Sequence, residues 1–222
     1  MTRRWIEFCL LYIGMPSLLM AWPAICKAAG IAFKINIIAA LWVMAAVSLV
    51  VLRCGKTFDF ADFGRVSTVP RREWRAMLFR FGIGAAALTA ALLAVEPEAL
   101  LAFPKSKPGF WLLVMVCYPI FSVLAQGVVF RALYWDRYSR LFPERMRIAA
   151  GAAVFAFAHL PYANAYALAF PFIGGFMFLS SYRRTRSLMF AAIEHALYGD
   201  FLFTIGWGLF FFHAGVLNNK MS

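Results

Sequence analysis

Charged side chains are scarce in this sequence, and acidic ones most of all. Only 14% of the 222 residues are charged, with 22 Lys and Arg against 10 Asp and Glu. Soluble domains are about a quarter charged and about half apolar, whereas this chain is 64% hydrophobic, with a mean hydropathy of +0.75. This composition excludes an ordinary soluble domain and indicates a polytopic membrane protein.

Paired cysteines and two common hydrolase motifs are also missing. The four cysteines are isolated and form no CxxC pair, so they predict neither a metal site nor a disulfide framework. The sequence contains no HExxH and no GxSxG, so neither a zincin-type metalloprotease nor a serine hydrolase of that kind has support. No segment resembles a soluble second domain, and we treat residues 1–222 as a single membrane domain.

Long apolar runs dominate what is present. Seven runs approach the ~20 residues that a helix needs to cross a bilayer; they are residues 6–26, 33–53, 76–95, 110–133, 147–163, 165–181 and 187–213. The last run is long, and a break at Gly199 would make the count eight. We therefore predict an all-α polytopic membrane helical bundle of about seven transmembrane helices.

Basic residues occupy alternate loops between these runs. The rich loops hold Arg3, Arg4, Lys56, Arg65, Arg71, Arg72, Arg75, Arg137, Arg140, Arg145, Arg147, Arg183, Arg184 and Arg186. The poor loops hold Lys27, Lys105, Lys107 and Lys220. The positive-inside rule predicts a cytoplasmic N-terminus and a C-terminus on the far side. A small chain of this pattern suits a bacterial inner membrane.

The net charge of +12 lies in these short clusters. Such clusters are typical of loops that face anionic lipid, so we predict membrane lipid and not nucleic acid as a partner. The Phe- and Trp-rich loop of residues 55–81 suits the membrane interface, where it could dock a substrate.

Polar side chains inside the runs are confined to the C-terminal half, apart from Glu7 near an end. They are Gln126, Arg131, His159, Glu194, His195 and Asp200. Ionisable residues within a bilayer are costly and are functional candidates by default. Because these six come from three helices, we predict one shared polar cavity. His213, at the end of the last run, is expected to be an interfacial residue.

Helical spacing predicts which of these residues can meet. Phe155 and His159 are four apart and share a helix face. His195 and Asp200 are five apart, which places them about 140° from each other on a regular helix. A one-residue bulge or a break at Gly199 would bring them together.

Three segments occur in the order and spacing of a known family: AQGVVFRALYWDRY, FAFAHLPY and IEHALYGD. The chain resembles the CPBP intramembrane proteases, also called the CAAX protease and bacteriocin-processing, or Abi, family. That family has the motifs EExxxR, FxxxH, and HxxxN or HxxxD on successive C-terminal helices. The resemblance covers roughly residues 110–205. It implies a glutamic-type endopeptidase whose leading glutamate activates water, while the histidines position that water and stabilise the oxyanion.

The match is uneven at the residues that matter most. Arg131, Phe155, His159 and His195 stand where the motifs require them. The two glutamates of the first motif fall on residues 126 and 127, which are Gln and Gly, and the Asn or Asp of the third motif falls on Gly199.

These departures leave the base unassigned. The amide of Gln126 can orient a water but cannot take its proton. Glu194 is the candidate substitute base, although it could instead form a buried ion pair with Arg131.

We predict an intramembrane endopeptidase of the CPBP type that cleaves a membrane-associated protein or peptide. His159 and His195 would hold the water and the oxyanion, and Asp200 would orient a histidine. Gln126 would orient water or substrate, and Arg131 would hold the pocket electrostatically. Two imidazoles with a carboxylate would also suit a divalent metal such as zinc, so a metal at the two histidines stays open.

Two other interpretations remain. A catalytically inactive relative that acts as a binding, chaperone or immunity factor is favoured by the missing glutamates. A transporter or channel could use the same groups as a proton or ion relay, although the sequence shows no repeated halves. The substrate, the cleaved bond and the oligomeric state are left open.

Overall fold

The protein is an all-α bundle, as predicted. The computed structural model describes residues 2–30, 32, 35–55 and 58–211, and within those ranges it has eight helices and no strand. The helices are α1 (Thr2–Ala29), α2 (Ile37–Gly55), α3 (Arg71–Val95), α4 (Ala102–Ser106), α5 (Pro108–Leu141), α6 (Arg147–Phe157), α7 (Tyr166–Thr185) and α8 (Leu188–Ile205). The end of the last predicted run with His213, and the loop residues Lys56 and Lys220, lie outside the described residues.

Five of these helices, α1, α2, α3, α5 and α8, are long and apolar enough to cross a membrane. Their outer faces expose large apolar side chains, such as Val43 at 64% and Phe79 at 71%. Exposed apolar area of this extent is unfavourable in water and favourable against lipid. The chain is an integral membrane protein.

The fifth predicted run differs most from the expectation. Residues 147–163 contain only the 11-residue helix α6, followed by a short 3₁₀ turn at Leu160–Tyr162. A helix of that length rises about 16 Å, roughly half of the hydrocarbon core. Its buried residues include Gly151, Ala152 and Phe155, so α6 packs within the bundle.

The last helix is continuous, and the predicted break or bulge at Gly199 does not occur. Helix α8 begins where the Ser187 hydroxyl accepts a hydrogen bond from the Phe190 backbone N–H, a standard N-cap. It ends at Gly206, whose φ of +131° is one that residues with a Cβ rarely adopt. His195 and Asp200 therefore stay on different faces.

Helix α5 is the central element and contains two π-helical stretches, Tyr118–Val123 and Val128–Tyr138. A π-helical turn loosens the regular i→i−4 ladder and exposes carbonyls to outside donors. The Tyr12 hydroxyl donates to the Val129 carbonyl at 2.7 Å, and the Trp42 indole donates to the carbonyl of residue 121 at 2.8 Å. These bonds attach α1 and α2 to α5.

Close approach of α6 and α7 positions the first histidine. A Cβ added to Gly175 would lie 2.9 Å from Phe155 Cδ1 and 3.2 Å from Ala152 Cα, distances that real Cβ atoms do not tolerate without movement. The absence of a side chain at Gly175 therefore lets α6 lie directly against α7. This contact orients the end of α6, where His159 follows.

Candidate functional site

Helices α3, α5, α6, α7 and α8 contribute to a cavity of about 1230 Å³ with mostly apolar walls. Among the six intramembrane polar residues named from the sequence, Gln126, His159 and His195 line it. The other polar side chains at its wall include Arg80, Ser122, Tyr118, Tyr162 and Tyr198. Arg131, Glu194 and Asp200 are not among its lining residues.

His195 is held by a partner on each ring nitrogen. Its Nδ1 lies 2.9 Å from Arg131 Nη2, and its Nε2 lies 3.1 Å from the Tyr118 hydroxyl oxygen. A guanidinium can only donate, so Nδ1 is the acceptor, and a neutral imidazole then carries its proton on Nε2. Nε2–H therefore donates to the Tyr118 oxygen. The ring also stacks on Phe178, with centroids 4.7 Å apart.

His159 is held in the opposite tautomer. Its Nδ1 lies 2.8 Å from the Phe155 carbonyl oxygen. A carbonyl only accepts, so Nδ1 carries the proton and Nε2 keeps a lone pair. The Phe155 ring contacts both imidazoles, with centroids 5.0 Å from His159 and 5.5 Å from His195. The two histidines are thus neighbours with different capacities: one can accept a proton, and the other cannot while its partners hold.

Gln126 is oriented by the preceding turn of α5. Its Nε2 donates to Ser122 Oγ at 2.7 Å. Its Oε1 is buried and has no hydrogen-bond partner among the described residues. An unpaired buried carbonyl is costly, so this oxygen is suited to accept from a water or a peptide N–H.

Arg131 is only 2% exposed and is incompletely paired. Nη2 donates to His195, but Nη1 has no hydrogen-bond partner within the described part of the chain. A Cβ added to Gly127 would lie 3.3 Å from Nη1. The glycine at the position of the motif's second glutamate therefore leaves a buried cation without the neighbouring carboxylate that the motif implies.

Glu194 pairs with Arg80, and this corrects the alternative of a Glu194–Arg131 pair. Glu194 is completely buried, and its Oε1 lies 2.7 Å from Arg80 Nη2. Arg80 also donates to Ser181 Oγ at 3.3 Å. Arg80 is absent from the residues singled out in the sequence; its signal was a basic residue four positions inside the third apolar run.

Asp200 does not orient a histidine. Among the described residues it makes no side-chain hydrogen bond to His159 or His195, and its Oδ1 is buried without a partner. The reason is the regular pitch of α8, which turns Asp200 away from His195. Tyr118 from α5 is the group that meets Nε2 instead, and no motif spacing could identify it.

The donor set does not fit zinc. Across residues 2–30, 32, 35–55 and 58–211, no group of three or more His, Cys, Asp or Glu is arranged to hold a metal ion. His195 has partners on both nitrogens, and one of them is the Arg131 guanidinium. That positive charge opposes a second cation beside it.

One family model matches the chain. Residues 108–199 match the model described as type II CAAX prenyl endopeptidase Rce1-like. The matched segment contains the first two motif segments, the third as far as Gly199, and both histidines, and it confirms the resemblance to the CPBP family. No match was found among curated proteins or among solved structures.

Proposed function

We propose that this membrane protein, with the CAAX-protease match in its C-terminal half, is an intramembrane endopeptidase. Its substrate would be a membrane-associated protein or peptide. The supporting observation is that motif segments distant in sequence bring Gln126, His159 and His195 to one cavity. At about 1230 Å³ the cavity exceeds the ~300–1000 Å³ of common small-ligand pockets. It has room for a peptide backbone and apolar side groups.

Hydrolysis of a peptide bond needs a base for the attacking water, and His159 is suited to that role. Its Nε2 lone pair is free of described partners, and its residue lines the cavity. Water attacks the carbonyl carbon, its proton moves to Nε2, and the carbonyl electron pair becomes the oxyanion. When the C–N bond breaks, the same proton passes to the leaving amine nitrogen.

Glu194 remains the base predicted from the sequence, but its surroundings favour His159. The Glu194 carboxylate is sealed from solvent and paired with Arg80, so a water in the cavity has no direct route to it. The Glu194 pair is better suited to holding α8 against α3. Gln126 Oε1 would orient the water, which is one of the two roles, water or substrate, that the sequence predicts for it.

Terminus-enriched proteomics on membranes tests this function. Cells would carry wild type, His159→Ala, His195→Ala or the control Cys54→Ser at matched levels, since Cys54 is exposed and lies outside the cavity lining. We expect a new protein terminus with wild type and Cys54→Ser, and its absence with both histidine variants. Equal termini in all four samples would overturn the proposal.

A catalytically inactive binding protein is the second candidate. It is favoured by the lack of any carboxylate among the described residues that line the cavity. In that case the cavity would hold a membrane peptide without cleaving it. The double variant Gln126→Glu with Gly127→Glu separates the two candidates. Cleavage that appears only in the double variant indicates that the wild type is an inactive relative of a protease and has lost its base.

A further inference from the structure

Tyr118 belongs to none of the motifs, yet it is hydrogen-bonded to a motif histidine. Its hydroxyl oxygen lies 3.1 Å from His195 Nε2, and the residue lines the cavity. Its ring stands edge-on to His195, with an interplanar angle of 84°. Tyr118 opens the first π-helical stretch of α5, and such stretches are frequent at functional sites.

Gly199 explains how Tyr118 reaches this place. Gly199 lies four residues after His195 on the continuous helix α8, so the two share a face. A Cβ added to Gly199 would overlap Cε1, Cζ and the hydroxyl of Tyr118. The tyrosine ring and hydroxyl therefore fill the volume in which the Asn or Asp of the HxxxN or HxxxD motif would begin.

The hydrogen bonds at His195 run in one direction. Arg131 donates to Nδ1, and Nε2–H donates to the Tyr118 oxygen, as the chemistry of the guanidinium requires. The hydroxyl proton of Tyr118 is then left for another acceptor. Aligned donors polarise one another, so the last donor of the series is strengthened.

We propose that Tyr118 replaces the missing Asn or Asp of the third motif and donates its hydroxyl proton to the scissile carbonyl oxygen of the peptide. The hydrogen bond strengthens as that oxygen becomes an oxyanion, which lowers the barrier to attack. The ligand group is a peptide carbonyl, and Gly199 is the residue that makes space for the donor. This role rests on the proposed endopeptidase function.

The first test reads the ring nitrogens and does not depend on activity. The chain has three histidines, so ¹⁵N-histidine labelling of the full-length protein in micelles yields few ring signals, and His195→Ala assigns one set. We expect His195 protonated on Nε2 and His159 protonated on Nδ1. Tyr118→Phe should shift the Nε2 signal of His195 and leave the Nε2 signal of His159 unchanged. An unchanged His195 signal, or a proton on its Nδ1, would overturn the hydrogen-bond series.

The second test reads cleavage of the substrate peptide. Tyr118→Phe keeps the ring and removes the donor, so the rate should fall about 10²–10³-fold, the range for one oxyanion donor. Tyr166→Phe is the control, because Tyr166 packs against Trp207 outside the cavity lining. Full activity of Tyr118→Phe, together with a shifted His195 signal, would reject the donation to the scissile carbonyl and leave the hydrogen bond between Tyr118 and His195 in place.

A swap tests the replacement itself. Gly199→Asn alone should lose activity because the new side chain meets the Tyr118 ring, and Tyr118→Ala alone should lose the donor. The double variant Tyr118→Ala with Gly199→Asn should recover activity above both single variants. If the double variant folds normally but recovers no activity, the idea that Tyr118 replaces the Asn or Asp of the third motif is rejected. If wild type itself shows no cleavage, the ring signals still decide the hydrogen-bond series.

Discussion

At the scale of single residues, the partner of each imidazole decides its chemistry. A carbonyl acceptor at His159 and a guanidinium donor at His195 place the proton on different nitrogens. The His195 ring is buried, whereas the His159 ring is only partly buried, and both line the cavity. The chain therefore has one histidine suited to accept a proton and one suited to pass a hydrogen bond to Tyr118.

His159→Gln should slow catalysis strongly without preventing membrane insertion. The glutamine amide has no basic site at neutral pH, and general-base catalysis contributes about 10²–10⁴-fold, so cleavage should fall by that factor. The measurement is the cleavage rate of the substrate found by terminus proteomics, with Tyr166→Phe as the control. Wild-type rates in His159→Gln would return the base to Glu194 or another group.

Gly127→Glu should give Arg131 the carboxylate that it lacks. The comparison is Gly127→Gln, which has the same size and meets the same neighbour, Leu188, but carries no charge. We expect the Glu variant to be more stable by about 1.5 kcal/mol, the lower value for hydrogen bonds to charged groups. Thermal unfolding in detergent measures it. Equal unfolding temperatures would mean that Arg131 Nη1 gains no counter-charge from residue 127.

At the scale of helices, the ion pair between Arg80 and Glu194 joins α3 to α8 across 114 positions of sequence. The pair lies at the side of the cavity, and it is not among the residues proposed to react with the substrate. Its carboxylate is fully buried, so the partner is needed to offset desolvation. The pair thus sets where α8 presents His195.

Arg80→Met should destabilise the fold by about 3 kcal/mol, because it leaves the Glu194 carboxylate buried without its partner. The double variant Arg80→Met with Glu194→Leu should recover most of that loss, since both charges are then gone. Unfolding in detergent is the measurement, and Arg75→Met is the control at an exposed position of the same helix. A double variant as unstable as the single one would show that the pair's charge is not the cause.

Helix bounds were predictable where composition alone determines them and unpredictable where packing does. The apolar runs at 33–53 and 76–95 lie within the observed α2 and α3 to within a few residues. The run at 147–163 is also mostly apolar, but its helix stops at Phe157. Hydropathy reports burial in either lipid or protein, so it cannot distinguish a spanning helix from a short helix packed inside the bundle.

At the scale of the whole molecule, the two ends of α5 indicate how the protein is oriented in the membrane. The 34 residues of α5 exceed the ~20 that a helix needs to cross the hydrocarbon core. Lys105 lies just before its start and Arg140 just before its end, and both are exposed. The positive-inside rule puts the Arg140 end in the cytoplasm, and this orientation remains a prediction.

Single cysteines at these two ends test the orientation. In a background with the four native cysteines replaced, Lys105→Cys should react with an impermeant maleimide in intact spheroplasts. Arg140→Cys should react only after the membrane is permeabilised. The opposite pattern would reverse the topology and, with it, the side from which a substrate meets the cavity.

The sequence by itself determined the membrane class and the all-α bundle. It also predicted that Gln126, His159 and His195 lie at one cavity, where the structure has them. Composition and local spacing are properties of neighbouring residues, and helices form from neighbours. Only the tertiary structure decided the partners. Tyr118 and His195 are 77 positions apart, and Glu194 meets Arg80 instead of Arg131. Such pairings depend on which helices pack together and on where a glycine such as Gly199 allows a ring to enter.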